Sequence, residues 1–148
     1  MLYLYLAAGG FGGAVGRYFL SGWLNHLWPG AFPLATWLIN LGGCLAMGFI
    51  LTYTLERLVM GPELRLGLTT GMIGAFTTFS TFSVETVHLL QAGKTFLALL
   101  YLFTSLVGGV ATMQIGIFLA RLPLSSLFSL FPLSPGGLRS IINKKDEG

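Results

Sequence analysis

Charge is what this 148-residue chain has least of. Asp, Glu, Lys and Arg together make up 9% of it, where about 25% is usual for a soluble domain. So few charges cannot cover a water-facing surface. Intrinsic disorder is excluded as well, because it needs low hydrophobicity and high charge. A single cysteine, Cys44, rules out an intrachain disulfide and reads as a small packing residue. The net charge of +3 is small and partly resides in the last residues, so no nucleic-acid partner is expected. HExxH, CxxC, Walker and nucleophile-elbow patterns are all missing, so an enzyme is not expected. The first apolar stretch lacks a basic leader and is too long for a signal-peptide core.

What the chain does have is apolar length and glycine. Hydrophobic residues are 54% and mean hydropathy is +0.80. The 21 glycines allow helices to approach closely in lipid. Together these predict an all-α integral membrane protein. Apolar runs cover residues 2–24, 34–55, 66–91 and 96–120. Each is long enough for a helix to cross the roughly 30 Å hydrocarbon core. Breakers separate them: Trp28-Pro29-Gly30 with Pro33, then the segment from Glu56-Arg57 to Gly61-Pro62-Glu63, then Ala92-Gly93-Lys94. Such short loops make successive helices antiparallel. Residues 1–121 therefore read as one four-helix transmembrane domain. Residues 122–148 read as a C-terminal tail, interfacial or disordered, with Pro123 and Pro132 in its apolar part.

Positive charge is nearly balanced across the membrane. The side holding the termini carries Arg57, Arg65 and Arg121, and the other carries Lys94. This bias points to termini inside and is small enough to permit insertion in both orientations. Small-xxx-small pairs recur at Gly9/Gly13, Gly12/Gly16, Gly42/Ala46, Gly67/Gly71 and Thr112/Gly116, and they predict tight helix packing. Four short helices enclose little space, so a homo-oligomer is expected.

The third run is the richest in chemistry. Seven residues between 69 and 83 are Ser or Thr, with Thr77-Thr78 and Ser80-Thr81 near mid-depth. Their hydroxyls either bond back to a continuous helix or help open it. An opened backbone would be tolerated only inside protein or beside a water-filled cavity. Its freed carbonyls suit a hard cation and its freed N–H groups an anion. Phe79 and Phe82 share a helical face. They are either packing residues or rings whose positive edges meet a small anion. Asn40, with Thr36 one turn before it, either joins helices or offers its NH2 to an ion. Arg17 is the sole cation within the runs; it snorkels, or pairs with helix-end carbonyls or Glu85. Glu85 and His88 lie on one face and suit either a proton relay or a mouth.

These stretches resemble the Fluc (CrcB) family of small fluoride ion channels over residues 1 to about 120. Gly10-x-x-Gly13-Ala14-x-x-Arg17-Tyr18 is similar to its first-helix pattern, and Thr36-x-x-x-Asn40-x-x-Gly43 to its second. Thr77-Thr78-Phe79-Ser80-Thr81-Phe82, after Gly71 and Gly74, resembles its third-helix signature, the most specific of the set. Tyr101-x-x-x-Ser105-x-x-Gly108 is similar to its fourth. Ala35 stands where a glycine is common, and the tail is longer than the family needs.

The resemblance implies an antiparallel, dual-topology homodimer with two fluoride pathways, in a prokaryotic plasma membrane. It implies a third helix broken at mid-membrane, where the backbone carbonyls of Gly74 and Thr77 from each subunit hold a structural sodium ion, Na+. It places Phe79, Phe82, Asn40, Ser80, Thr81, Tyr101, Ser105 and Thr36 along the fluoride pathway and Arg17 in a vestibule. The implied function is passive export of fluoride that entered as HF. The alternatives are a dual-topology four-helix transporter of an organic cation and a non-transporting scaffold subunit. Against the transporter, no acid stands at mid-depth in the first helix.

Overall fold

A computed structural model describes residues 1–122. The tail predicted over 122–148 lies, from residue 123 onward, outside the described residues. The described chain is all helix: α1 (Leu2–Leu27), α2 (Leu34–Glu56), α3 (Pro62–Leu66), a π-helical segment (Gly67–Ile73), α4 (Gly74–Phe76), α5 (Phe79–Gln91) and α6 (Thr95–Arg121). α2 and α6 are each long and apolar enough to cross a membrane.

Two helices overrun their predicted ends. α1 continues through Asn25 and His26 to Leu27. Polarity ends an apolar run without ending a helix; the residue before Pro29 does that, because the proline ring disfavours helical geometry there. The third span starts at Pro62, four residues before the apolar run. Proline is suited to the first helical position, where its missing N–H costs nothing.

Glycines set the packing in two parallel pairs. A Cβ at Gly9 would overlap the Gly67 carbonyl oxygen, and one at Gly13 the Met72 carbonyl oxygen. Gly71 lies less close but still tight, its Cβ position 3.0 Å from the Leu6 oxygen. These approaches, rising together along both segments, seat α1 on the π-helical segment. On the other side Gly48 abuts the Met113 carbonyl and Gly116 the Leu45 carbonyl, seating α6 along α2. Such parallel pairing of first with third and second with fourth is what an up-down-up-down chain requires. Gly12 and Gly42, also in predicted small-xxx-small pairs, have open space within the protomer. Spacing identifies glycines able to take a neighbour, and only the packing decides which do.

Gly13→Ala is expected to abolish a folded, monodisperse product, since its methyl would meet backbone that cannot swing aside. Gly42→Ala is expected to leave the product unchanged. Size-exclusion profiles in detergent check both.

Where the spans converge, Phe82, Leu89, Ala98 and Tyr101 form a buried cluster backed by Phe32 and Trp37. Tyr101 is completely buried. At the opposite end, Arg121 pairs with Glu56 at 2.7 Å and accepts from Arg57 through its own carbonyl, tying the last turns of α2 and α6 together. The pair is exposed, so it aligns the helix ends more than it stabilises them.

Candidate functional site

Between α4 and α5 the backbone leaves the helix for two residues. Thr77 has φ −80 and ψ 158, and Thr78 has φ −148 and ψ 123. The local cause is threonine chemistry. Thr77 Oγ1 donates back to the Ile73 carbonyl at 3.1 Å. Thr78 Oγ1 accepts the Thr81 N–H at 3.2 Å and so caps α5. A threonine side chain that replaces a missing intrahelical partner makes a new helix start favourable by about 1 kcal/mol. Thr78 Oγ1 also donates to Thr81 Oγ1 at 3.0 Å and lies 3.3 Å from Ser80 Oγ.

An extended residue inside a helical bundle exposes polar backbone that must be satisfied. Asn40 does this from α2. Its Nδ2 donates to the Thr78 carbonyl at 3.0 Å, and its Oδ1 accepts the Thr78 N–H at 2.8 Å. The amide thus replaces the strand partner that Thr78 lacks. Of the two readings of Asn40, the helix-joining one describes its Oδ1 and one N–H; its second N–H is not consumed by this pairing. Arg17 donates from Nε to the Ala75 carbonyl at 3.1 Å. Of its predicted options, helix-end carbonyls are therefore the partner and Glu85 is not. Around the interruption, Ile73, Ala75 and Thr78 have their carbonyls occupied. Gly74 O receives only a long 3.4 Å contact from Thr77 Oγ1. Phe76 and Thr77 carbonyls accept no hydrogen bond among the described residues.

A groove of about 240 Å³ runs beside the interruption, lined by Asn40, Thr78, Phe79, Phe82, Ser105 and Cys44 among others. The two phenylalanines, alike by periodicity, differ in setting. Phe79 is 77% exposed and Phe82 only 7%. Their rings lie 5.7 Å apart, tilted by 44°. Phe82 also packs on Tyr101, with centroids 4.9 Å apart. Ser105 Oγ is buried without a hydrogen-bond partner, a state it shares with Trp37 Nε1. A larger cavity of about 670 Å³ is lined by Arg17, Ser21, Asn25, Thr36, Thr78 and Thr81. Thr78 borders both spaces.

Thr36 and Tyr101 converge on one acceptor that the motif reading left unassigned. Thr36 Oγ1 donates to Glu85 Oε1 and the Tyr101 hydroxyl to Glu85 Oε2, each at 2.8 Å. Glu85 thereby joins α2, α5 and α6. The available signal was its spacing of three residues from Phe82, which puts both on the inward face of α5. The predicted site residues therefore fall into three adjoining groups. Asn40, Phe79, Phe82 and Ser105 border the groove; Arg17, Thr36 and Thr81 border the larger cavity; Tyr101 lies between, on Glu85. Ser80 is exposed beside Thr78.

The family model described as CrcB-like protein, Camphor Resistance (CrcB), matches residues 4–117. A Moorella thermoacetica protein named fluoride-specific ion channel FluC 1 is 75% identical over 146 residues, covering 99% of this chain and 98% of its own. Symbiobacterium thermophilum has one named fluoride-specific ion channel FluC 2, 48% identical over 111 residues, 75% of this chain and 90% of its own. Bacillus cereus has another named fluoride-specific ion channel FluC 1, 40% identical over 116 residues, 78% of this chain and 85% of its own. With the family pattern running through all four helical spans and relatives this similar over most of their length, this chain belongs to the CrcB family, whose similar members here are named as channels and not as enzymes.

Proposed function

We propose that this protein is a passive, fluoride-selective channel that exports fluoride across a prokaryotic plasma membrane as an antiparallel homodimer. The carrying observation is the groove at the interruption, where the buried, unpartnered Ser105 hydroxyl sits beside the ring of Phe79 and the amide of Asn40. A bare charge in hydrocarbon costs tens of kcal/mol by a Born estimate. Fluoride must therefore exchange water for donors. Ser105 supplies a hydroxyl with no other acceptor, Asn40 its second N–H, and the two phenylalanines their positive ring edges. The highly exposed Phe79 and the open faces at Gly10 and Gly12 leave room for a second copy, which would close each groove into a pathway.

The interruption also fits the implied sodium ion. Arg17 and Asn40 occupy the Ala75 and Thr78 carbonyls, whereas Phe76 and Thr77 carbonyls accept no hydrogen bond among the described residues and Gly74 O receives only a 3.4 Å contact, so the Gly74 and Thr77 oxygens that the resemblance implies keep lone pairs for a cation. Two such carbonyls from each subunit make an all-oxygen set suited to a hard monovalent cation. When bound, the ion would hold the two interrupted helices together. Arg17 and Asn40 take two of the neighbouring oxygens out of contention, and in an antiparallel dimer an interruption at mid-membrane would bring the remaining ones near the two-fold axis.

A fluoride electrode on fluoride-loaded liposomes tests the reading. Purified protein with a potassium ionophore is expected to release fluoride steadily and electrogenically. Exchange of an organic cation for protons would instead mark a transporter, and silence in well-folded dimers a scaffold.

A further inference from the structure

α5 ends in a turn that fixes one lysine. Gly93 adopts φ +70, the left-handed conformation that glycine takes without strain. The Gly93 N–H then bonds the Leu90 carbonyl at 3.0 Å and the Lys94 N–H the Leu89 carbonyl at 2.9 Å. This paired closure sets Lys94 directly over the end of α5. Beneath it is a cavity of about 260 Å³, lined by Gly30, Pro33, Glu85, His88 and Lys94 among others. Glu85 is one of its lining residues. On the far side of the Thr36–Glu85 hydrogen bond, Thr36 borders the larger cavity with Arg17 and Thr81.

The electrostatics of this cavity are set against an anion unless a cation is added. The C-terminal end of α5 carries the negative pole of its dipole, about half an elementary charge. The Glu85 carboxylate adds to it. Lys94 is the one lysine or arginine lining the space, and the Gly93 turn fixes its backbone at the rim. Resting on the channel reading above, we propose that this cavity is a second mouth of the anion pathway, in which Lys94 draws fluoride toward the Thr36–Glu85–Tyr101 junction. Lys94 is a steering residue: it raises the local anion concentration and does not itself select fluoride.

Steering has a signature that a packing role lacks. It acts on entry, so it shows at fluoride far below saturation and disappears at saturation. It also fades with salt, because the Debye length shrinks from about 30 Å at 0.01 M to about 3 Å at 1 M. The experiment measures initial efflux from proteoliposomes across fluoride concentration, at both ionic strengths, for wild type, Lys94→Gln, Lys94→Glu and Arg65→Gln. At low salt and low fluoride, Lys94→Gln is expected to fall about threefold and Lys94→Glu about eightfold, as expected for one and two charges at several ångströms in water. Both deficits should shrink to within about 1.5-fold at 1 M salt, where charge is screened. Maximal flux should be retained, and Arg65→Gln, distant from the cavity, should match wild type. An active wild type with Lys94→Glu equal to it at low salt would overturn the mouth alone, as would a deficit that persists at 1 M salt. A wild type silent under every condition would overturn the channel reading and this inference with it.

Discussion

Phe79→Ile is expected to lower fluoride flux by about tenfold, or ~1.4 kcal/mol on the barrier, in dimers as stable as wild type. The side chain is 77% exposed within the protomer and its one aromatic neighbour is Phe82, at 5.7 Å. A near-isovolume swap at such a position costs under ~1.5 kcal/mol even in a packed core. What isoleucine cannot supply is the positive ring edge, which compensates part of the hydration that fluoride gives up. Phe82→Ile should behave differently. That ring is buried against Tyr101, and losing an aromatic pair forfeits about 0.5–1.5 kcal/mol beyond the area term. Flux and thermal stability should therefore fall together in Phe82→Ile and separately in Phe79→Ile. Efflux per folded dimer, read beside the melting temperature in detergent, distinguishes them. Normal efflux from folded Phe79→Ile would remove the ring from the pathway.

Asn40→Leu is expected to be more damaging, reducing flux by at least about a hundredfold, the scale seen when one preorganised donor is removed from a polar site. The amide makes both of its recorded bonds to the Thr78 backbone. Leucine has similar volume and leaves that N–H and carbonyl unpaired, at about 1–3 kcal/mol for each buried group. The interruption should then relax toward a regular helix, moving the Gly74 and Thr77 carbonyls and the base of the groove. Asn40→Asp is the informative companion. Its carboxylate can still accept the Thr78 N–H but meets the Thr78 carbonyl oxygen with repulsion, and it sets a negative charge on an anion pathway. Both variants should melt well below wild type and conduct poorly. If Asn40→Leu keeps its melting temperature and its flux, neither the clamp nor the pathway runs through Asn40.

How much of this was legible beforehand differs by kind of feature. Class, the helical runs and the loop positions follow from composition and breakers, because a 30 Å apolar slab imposes length and polarity on any chain that crosses it. The Thr77-Thr78 signature, in order with the glycine and asparagine patterns of the other spans, was enough to indicate the family. The capping role of Thr78 is also local, since it needs only Thr81 three residues on.

Partnership across the bundle was not legible. Helical period says which residues share a face and says nothing of what that face meets. Phe79 and Phe82 look equivalent in sequence and become one exposed ring and one core ring because α6 places Tyr101 beside the second alone. Arg17 could have snorkelled or paired with either of two partners, and the seating of α1 on Gly67 and Met72 delivered it to Ala75, 58 residues away. Thr36 and Tyr101 were both expected along a pathway, and the fold gives them a common acceptor in Glu85, 49 and 16 residues off. The sequence by itself determined a CrcB-type membrane bundle with an unusual third span. The tertiary structure decided which carbonyls at the interruption are taken and which stay free, because hydrogen bonds between helices depend on register and rotation that only close packing fixes.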